Sequence, residues 1–359
     1  MKPAGKDQSG MPGTLHRFLQ NFDQVPASSA WYLADIGEAR GLQELYTRQS
    51  PQILNSLKQF AIIESAVSSN RIEGVEMDRE RIMPLLAGGS QVRDRNEEEI
   101  QGYKKALELI FGSPASLPVA ETSFKSLHAL VRGEIWDAGL YKDRDSDIIE
   151  KYPDGRERVR FHTVPAAQTP DAMGRLVVDF DQCLRERTVH PLLAIAAFNL
   201  DFLCIHPFRD GNGRVSRLLL VLMLLAAGYE VGRYISLERL IEENKERYYE
   251  TLELSFIGWH EGSHDPWPLI NYLLFILKAA YKEFEARATS VKPPRGEKRE
   301  RILLALETLP ETFSMADLAA KCPGISLETV RKAVKDLRGE GKLAVLKPGP
   351  DALWRKVGI

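Results

Sequence analysis

The densest concentration of reactive side chains lies in twelve consecutive residues, His206-Pro207-Phe208-Arg209-Asp210-Gly211-Asn212-Gly213-Arg214-Val215-Ser216-Arg217. His206 is a base that can take a proton near neutral pH. Gly211 and Gly213 flank Asn212, and glycine permits the positive-φ geometry of a backbone nest. Arg214 and Arg217 are three apart, share one face of a helix, and can each make paired hydrogen bonds to phosphate oxygens. Asp210 alone would repel phosphate. Beside this many cations it fits as a ligand for Mg²⁺, which binds one or two carboxylates together with substrate phosphates. An ordinary helix-to-helix turn with a solvated basic end needs none of this beyond the glycines. The combination points to polyphosphate handling.

The elements that must position these groups are helices. Apolar runs flank the segment, Leu192 to Ile205 before it and Leu218 to Ala227 after it. Pro207 cannot continue the incoming helix, so the chain leaves it near His206. A new helix begins at Asn212 or Gly213, and its free N–H groups and positive dipole end would stabilise an anion. A second helical pattern, with Ile53, Leu57, Phe60, Ile63 and Val67 at three- and four-residue steps, ends in Ser69-Asn70-Arg71-Ile72-Glu73-Gly74, where Gly74 is a helix stop.

Helical periodicity runs from about Ala34 to Ala288, predicting helices near 51–73, 96–111, 121–134, 170–187, 191–205, 213–227, 237–256 and 266–287. One stretch differs. Between Tyr141 and Val164 the turn signal Asp154-Gly155 precedes alternating Val159 and Phe161, which predicts a β-hairpin. Beyond Pro293-Pro294-Arg295-Gly296 lies a smaller unit. It should hold a helix over Glu300–Leu309, one capped by Ser314 and running to Ala320, and one capped by Ser326 and covering Leu327–Gly339. Two strands, Lys342–Val345 and Leu353–Val357, would follow, joined by Lys347–Asp351. This order resembles a winged helix, a fold that many unrelated functions share.

Composition sets outer bounds. Of 359 residues 44% are apolar and 27% charged, as in an ordinary globular chain, and the formal net charge of −2 gives no global sign of nucleic acid or membrane. No apolar stretch approaches a membrane span, and Met1 to Thr14 reads as a mobile tail without the apolar core of a signal peptide. Cys183, Cys204 and Cys322 show no metal spacing, so reduced thiols in a cytoplasmic setting are expected.

The twelve residues resemble the signature of the Fic family, His-x-Phe-x-(Asp/Glu)-Gly-Asn-(Gly/Lys)-Arg-x-x-Arg, at every motif position. The resemblance implies a mostly α fold: a helical Fic-type bundle with a β-hairpin flap, joined here to the small C-terminal winged-helix unit. It implies transfer of AMP from ATP to a Ser, Thr or Tyr hydroxyl of a target protein. In that scheme His206 is the catalytic base and Asp210 holds Mg²⁺. Gly211, Asn212 and Gly213 form the anion hole, while Arg214 and Arg217 hold the β- and γ-phosphates. Phe208 anchors the loop. Glycine at 213, where a kinase-like branch has lysine, favours AMP transfer. Ser69–Gly74 is similar to the family's inhibitory helix, in which the glutamate, here Glu73, pairs with the second arginine, here Arg217. A carboxylate competes well with a phosphate for one guanidinium because both accept the same two-pronged contact.

The resemblance further implies that the 141–164 hairpin docks the target backbone by strand addition. Tyr248 and Tyr249 would wall the nucleotide, although Phe256 replaces an adenine-contacting asparagine of some relatives. Gly139-Leu140-Tyr141-Lys142 departs from the family's Gly-x-x-Arg before the flap. The implied organisation is a tail over 1–14, a helical region with the inhibitory helix over 15–115, the catalytic core over 116–288, a linker over 289–297 and the winged helix over 298–359. Two other readings stand beside adenylyl transfer. One is removal of AMP with Glu73 orienting water. The other is a nucleotide-sensing regulator whose winged helix binds DNA through Arg331, Lys332, Lys335 and Arg338. The intact base argues against a pure sensor. The last 69 residues carry 14 Lys and Arg against 9 Asp and Glu, a mild excess for a DNA reader.

Overall fold

The computed structural model describes residues 13–22, 24–47, 51–86, 89–112, 117–151, 154–290, 299, 302, 303, 305, 306, 309–322, 325–347, 349 and 352–357. The tail expected before residue 13, most of the expected linker and parts of the 300–309 helix and the 347–351 connection lie outside them. The chain divides into two compact units, residues 1–288 and 289–359. It is mostly helical, with two small antiparallel sheets.

The first unit is built around α8 (Pro191–Ile205) and α9 (Asn212–Ala226). Every residue from Leu192 to Ile205 is buried, as are most of α9, because both sequences are apolar around the whole circumference. Such helices are stable only when jacketed. The jacket is α1 (Thr14–Gln20), α3 (Pro51–Ile72), α5 (Arg95–Gly112), α6 (Glu121–Arg132), α7 (Thr169–Arg185) and α12 (Trp267–Ser290), with α2 (Ala27–Thr47), α4 (Arg79–Leu86), α10 (Leu237–Glu243) and α11 (Lys245–Phe256) completing the order. Residues on both sides of position 115, such as Leu107 and Phe124, belong to one continuous apolar core.

Three expectations are corrected here. Thr14 is no tail residue: it is buried at the start of α1, with its N–H and Oγ donating to Asp201 Oδ1 at 2.8 and 2.7 Å. That carboxylate also takes the indole N–H of Trp259 at 2.8 Å, so α1 is fastened directly to α8. The single helix expected over 237–256 is two, because Asn244 leaves helical geometry and its amide donates to Leu240 O at 2.9 Å. The final helix of the unit continues to Ser290, past the expected start of the linker.

The hairpin forms from β1 (Asp147–Lys151) and β2 (Glu157–His162), antiparallel, with a register shift at Ile148/Ile149. Gly155 has φ 85°, the left-handed value a tight turn demands. At its base, Lys142 Nζ donates to Thr163 Oγ1 at 2.7 Å and to Ile205 O at 3.2 Å, tying the hairpin to the end of α8.

In the second unit, α13 (Met315–Ala320) and α14 (Leu327–Gly339) pack over a sheet of β3 (Thr312–Ser314), β4 (Leu343–Lys347) and β5 (Leu353–Lys356), in the order β3-β5-β4. Ser314 and Asp317 form a reciprocal capping box. The sequence suggests two strands. The third, β3, is three residues long, too short to show alternation.

Candidate active site

The site begins where α8 stops. His206 has φ 52° and ψ 62°, a left-handed conformation uncommon outside glycine, and its N–H still donates to Phe202 O at 2.9 Å. The loop from Phe208 to Asn212 holds this strained residue in place. Asn212 clamps Phe208 from both sides, accepting its N–H at 2.9 Å and donating to its carbonyl at 2.7 Å. The buried Phe208 ring stacks on His128 at 3.8 Å. The His206 ring turns its Nδ1 toward Leu203 O at 3.3 Å, so Nδ1 is the donor and Nε2 keeps its lone pair. Burial, reinforced by the Lys142 cation, lowers its pKa to about 4. The imidazole is neutral at pH 7 and ready to accept a proton.

Gly211, at φ 81°, is the N-cap of α9 and offers no side chain to its first N–H groups. A Cβ there would press on Arg132 and His128. The expected anion hole of Gly211, Asn212 and Gly213 therefore rests on backbone, because the Asn212 amide is spent on the loop. The helix start is a positive end, and the Asp210 carboxylate accepts the Gly211 N–H there at 2.6 Å.

Glu73 supplies a second carboxylate from elsewhere. Its Oε1 lies 2.8 Å from Arg217 Nη2, and a Cβ on Gly213 would overlap the same oxygen. α3, which ends one residue before Glu73, also grips Arg217 through Ser69, whose Oγ accepts from Nε and whose carbonyl accepts from Nη2, both at 2.9 Å. Burial works against the Arg217 charge, but Glu73 and the neighbouring tyrosines hold its pKa above the ordinary arginine value. Its Nη1 has no hydrogen-bond partner among the described residues.

Arg214 is also buried. Its Nη1 donates to Asn70 Oδ1 at 3.2 Å and to Glu99 Oε2. Asp210 is different: its side chain is 59% exposed, which leaves it open to a ligand. Burial alone would raise its pKa, but Arg132, Arg214 and the Gly211 N–H hold it below the usual carboxylate value. An ionised, accessible carboxylate beside Arg214 and the start of α9 would suit one Mg²⁺ bound jointly with phosphates. No group of three or more His, Cys, Asp or Glu suited to a metal occurs among the described residues, so an all-protein metal cage is not offered there.

The tyrosine pair divides. Tyr248 is buried, with burial raising its pKa and the Arg217 cation opposing the rise. Tyr249 donates its hydroxyl to Ile72 O at 3.2 Å, at the end of the Glu73 helix. The structure thus brings Glu73 against Arg217 and Gly213, and Asp210 beside Arg214, at the start of α9 next to His206, with Tyr249 bonded to the end of the preceding helix α3.

Four contributors lack a motif: Glu99, His128, Arg132 and the structural role of Lys142. His128 and Arg132 sit one turn apart on a strongly amphipathic helix, and polar groups on the buried face of such a helix are the signal that would have found them. Glu99 hides in the run Glu97-Glu98-Glu99, where only burial separates it from a solvated neighbour.

Comparison with known proteins agrees with the fold. The Fic/DOC family profile matches residues 118–224. The protein adenylyltransferase Fic of Drosophila erecta is 27% identical over 221 residues, 58% of this chain, and its Drosophila melanogaster counterpart matches to the same extent. The chain spans only about two fifths of those relatives' length, 40% in each case. A Fic family protein from Desulfovibrio desulfuricans superposes with a TM-score of 0.60 at 21% identity, covering 94% of this chain and 98% of that one. A Fic domain-containing signalling protein from Bacteroides thetaiotaomicron gives 0.59 at 20% identity, covering 72% and 98%. At such identities the superpositions speak for the fold alone. The motif, the helical fold and the profile agree in likening residues 118–224 to the Fic/DOC family.

Proposed function

We propose that the protein is an adenylyltransferase that moves AMP from ATP to a Ser, Thr or Tyr hydroxyl of a target protein, and that Glu73 holds it in check. The observation that carries the reading is the pairing of a neutral base, His206 with Nε2 free, with a helix start and two arginines suited to a triphosphate. Moving a nucleotidyl group asks for little more than a placed nucleophile and neutralised leaving charge. In the reaction the target oxygen bonds to the α-phosphorus as the bond to the bridging oxygen breaks. The hydroxyl proton passes to His206 Nε2 and pyrophosphate leaves. The α9 N–H groups, Arg214 and Arg217 hold the leaving phosphates. Mg²⁺, bound by Asp210 and the phosphates, would add neutralising charge. Tyr248 and Tyr249 would flank the nucleotide. The two-stranded flap, with Ile149 and Val159 exposed, would suit an added target strand.

Glu73 stands where the γ-phosphate would meet Arg217, which supports an inhibitory role rather than a water-orienting one in this conformation. The test is incorporation of radiolabelled ATP into a lysate or the protein itself. Glu73→Gly should raise labelling at least about tenfold, since a charge-assisted pair competes with phosphate for the same fork. Adding His206→Ala should abolish it while ATP binding persists. Equal labelling of wild type and Glu73→Gly removes the inhibition claim, and labelling that survives His206→Ala removes the base. A mass gain of one phosphate instead of one AMP would turn the reading to phosphoryl transfer.

A further inference from the structure

Asp210 is held from beneath by two residues outside the motif. Arg132 Nη1 lies 2.5 Å from Asp210 Oδ2 and 3.3 Å from Glu99 Oε1. Glu99 Oε2 in turn accepts from Arg214 Nη1, and Arg214 Nη2 stands 3.7 Å from Asp210 Oδ1. Four charges of alternating sign close a ring. The side chains of Arg132, Glu99 and Arg214 are 8%, 6% and 3% exposed, so their rotamers are locked by packing. Asp210 is the one member that reaches solvent.

We infer that Arg132, with Glu99 as its buried counter-charge, is a positioning residue that fixes the Asp210 carboxylate for its ligand; this rests on the adenylyltransferase reading of the site. A carboxylate has about four acceptor positions. Arg132 occupies one on Oδ2, and the Gly211 N–H occupies one on Oδ1 at 2.6 Å. The side chain is 59% exposed, which leaves the remaining positions accessible to a ligand. The backbone of Asp210 is secured separately, by His128 Nε2 donating to its carbonyl at 3.0 Å, while His128 Nδ1 accepts the Gly139 N–H at 2.8 Å. The Asn212 clamp holds the rest of the loop. Loss of Arg132 therefore leaves the backbone of the loop in place and frees the Asp210 carboxylate, along with the longer contacts to Glu99 and Asp137. Arginine suits the task because Nη1 alone reaches both Asp210 and Glu99 while Nη2 stands 3.9 Å from Asp137, a spread of donors in one plane that a lysine point charge does not reproduce.

The test uses the full chain carrying Glu73→Gly. ATP binding is measured by calorimetry with and without Mg²⁺, alongside turnover. The paired variant Arg132→Met/Glu99→Gln removes one charge of each sign, so the net charge around the nucleotide is kept; the buried Asp137, 3.9 Å from Arg132 Nη2, loses that cation. The Mg²⁺ enhancement of ATP binding should fall about 10- to 100-fold in that variant, the usual effect of losing a partner that orients a metal ligand. Mg²⁺-free ATP binding should stay within about twofold, and Arg132→Lys should recover part of the enhancement. If the paired variant keeps the full Mg²⁺ enhancement, the positioning role is overturned while the functional reading stands. If the Glu73→Gly parent binds no ATP at all, the functional reading falls and this inference with it.

Discussion

His206 sets the pH at which the chemistry can run. A free imidazole is half protonated near pH 6.5. Burial and the Lys142 cation both disfavour the imidazolium here, and the pKa falls to about 4. Between those values the folded protein binds fewer protons than the unfolded chain at this site. Acid therefore erodes stability across that window, and the contribution is complete above about 6.5. For activity the consequence is that the base stays competent as pH drops through 6.5. In the Glu73→Gly protein, kcat/KM should be nearly flat from pH 8 to about 6, with its acid limb well below the free-imidazole value. Lys142→Met should move that limb upward, because it removes a neighbouring positive charge. A limb at 6.5 in the parent, unmoved by the Lys142 change, would show that the His206 environment in solution is not the one described. Lys142 also illustrates a limit of sequence reading. It stands where the family pattern has arginine, and only the fold shows its amine reaching Thr163 and Ile205.

At the scale of elements, inhibition depends on how one helix ends. The Glu73 helix runs to Ile72, and Gly74 comes after it at φ 80° with its N–H bonded to Arg71 O at 3.0 Å. A Cβ at Gly74 would meet nothing within 4 Å, so alanine there costs only the left-handed conformation, about 1 kcal/mol. That penalty falls on the turn that presents Glu73. Gly74→Ala should raise basal labelling about fivefold, the equivalent of 1 kcal/mol, and so by less than Glu73→Gly. Unchanged labelling would mean that Ser69 and Tyr249 fix Glu73 without help from the helix stop. The motif helices were legible in the sequence because their apolar runs and glycine punctuation are local. The ring around Asp210 was not, because Arg132 and Glu99 come from positions 78 and 115 residues before the motif residues they bind, Asp210 and Arg214. Nor was the break at Asn244, where one amide competing for a backbone carbonyl outweighs an otherwise helical pattern.

At the scale of the whole chain, the second unit has its own core, with Ile302, Leu306, Phe313, Leu318, Val330, Val334, Leu337 and Leu343 buried together. Its helices and three strands would serve a protein-docking or a nucleic-acid-binding role equally well. The sequence points to α14, and the structure leaves Arg331, Lys332, Lys335 and Arg338 all exposed on it. Glu328 and Asp336 are exposed on the same helix and weaken the field. If this helix reads DNA, affinity comes mainly from phosphate contacts, and each contact adds close to one unit to the slope of log affinity against log salt. The full chain should then retard a random duplex at low salt, and Arg331→Ala with Lys335→Ala should lower that slope by about two. The same double variant should leave Glu73→Gly labelling intact, because both residues belong to the second unit and His206 to the first. Absence of any shift at low salt would reject DNA binding and leave the exposed basic helix as a surface for an acidic protein partner.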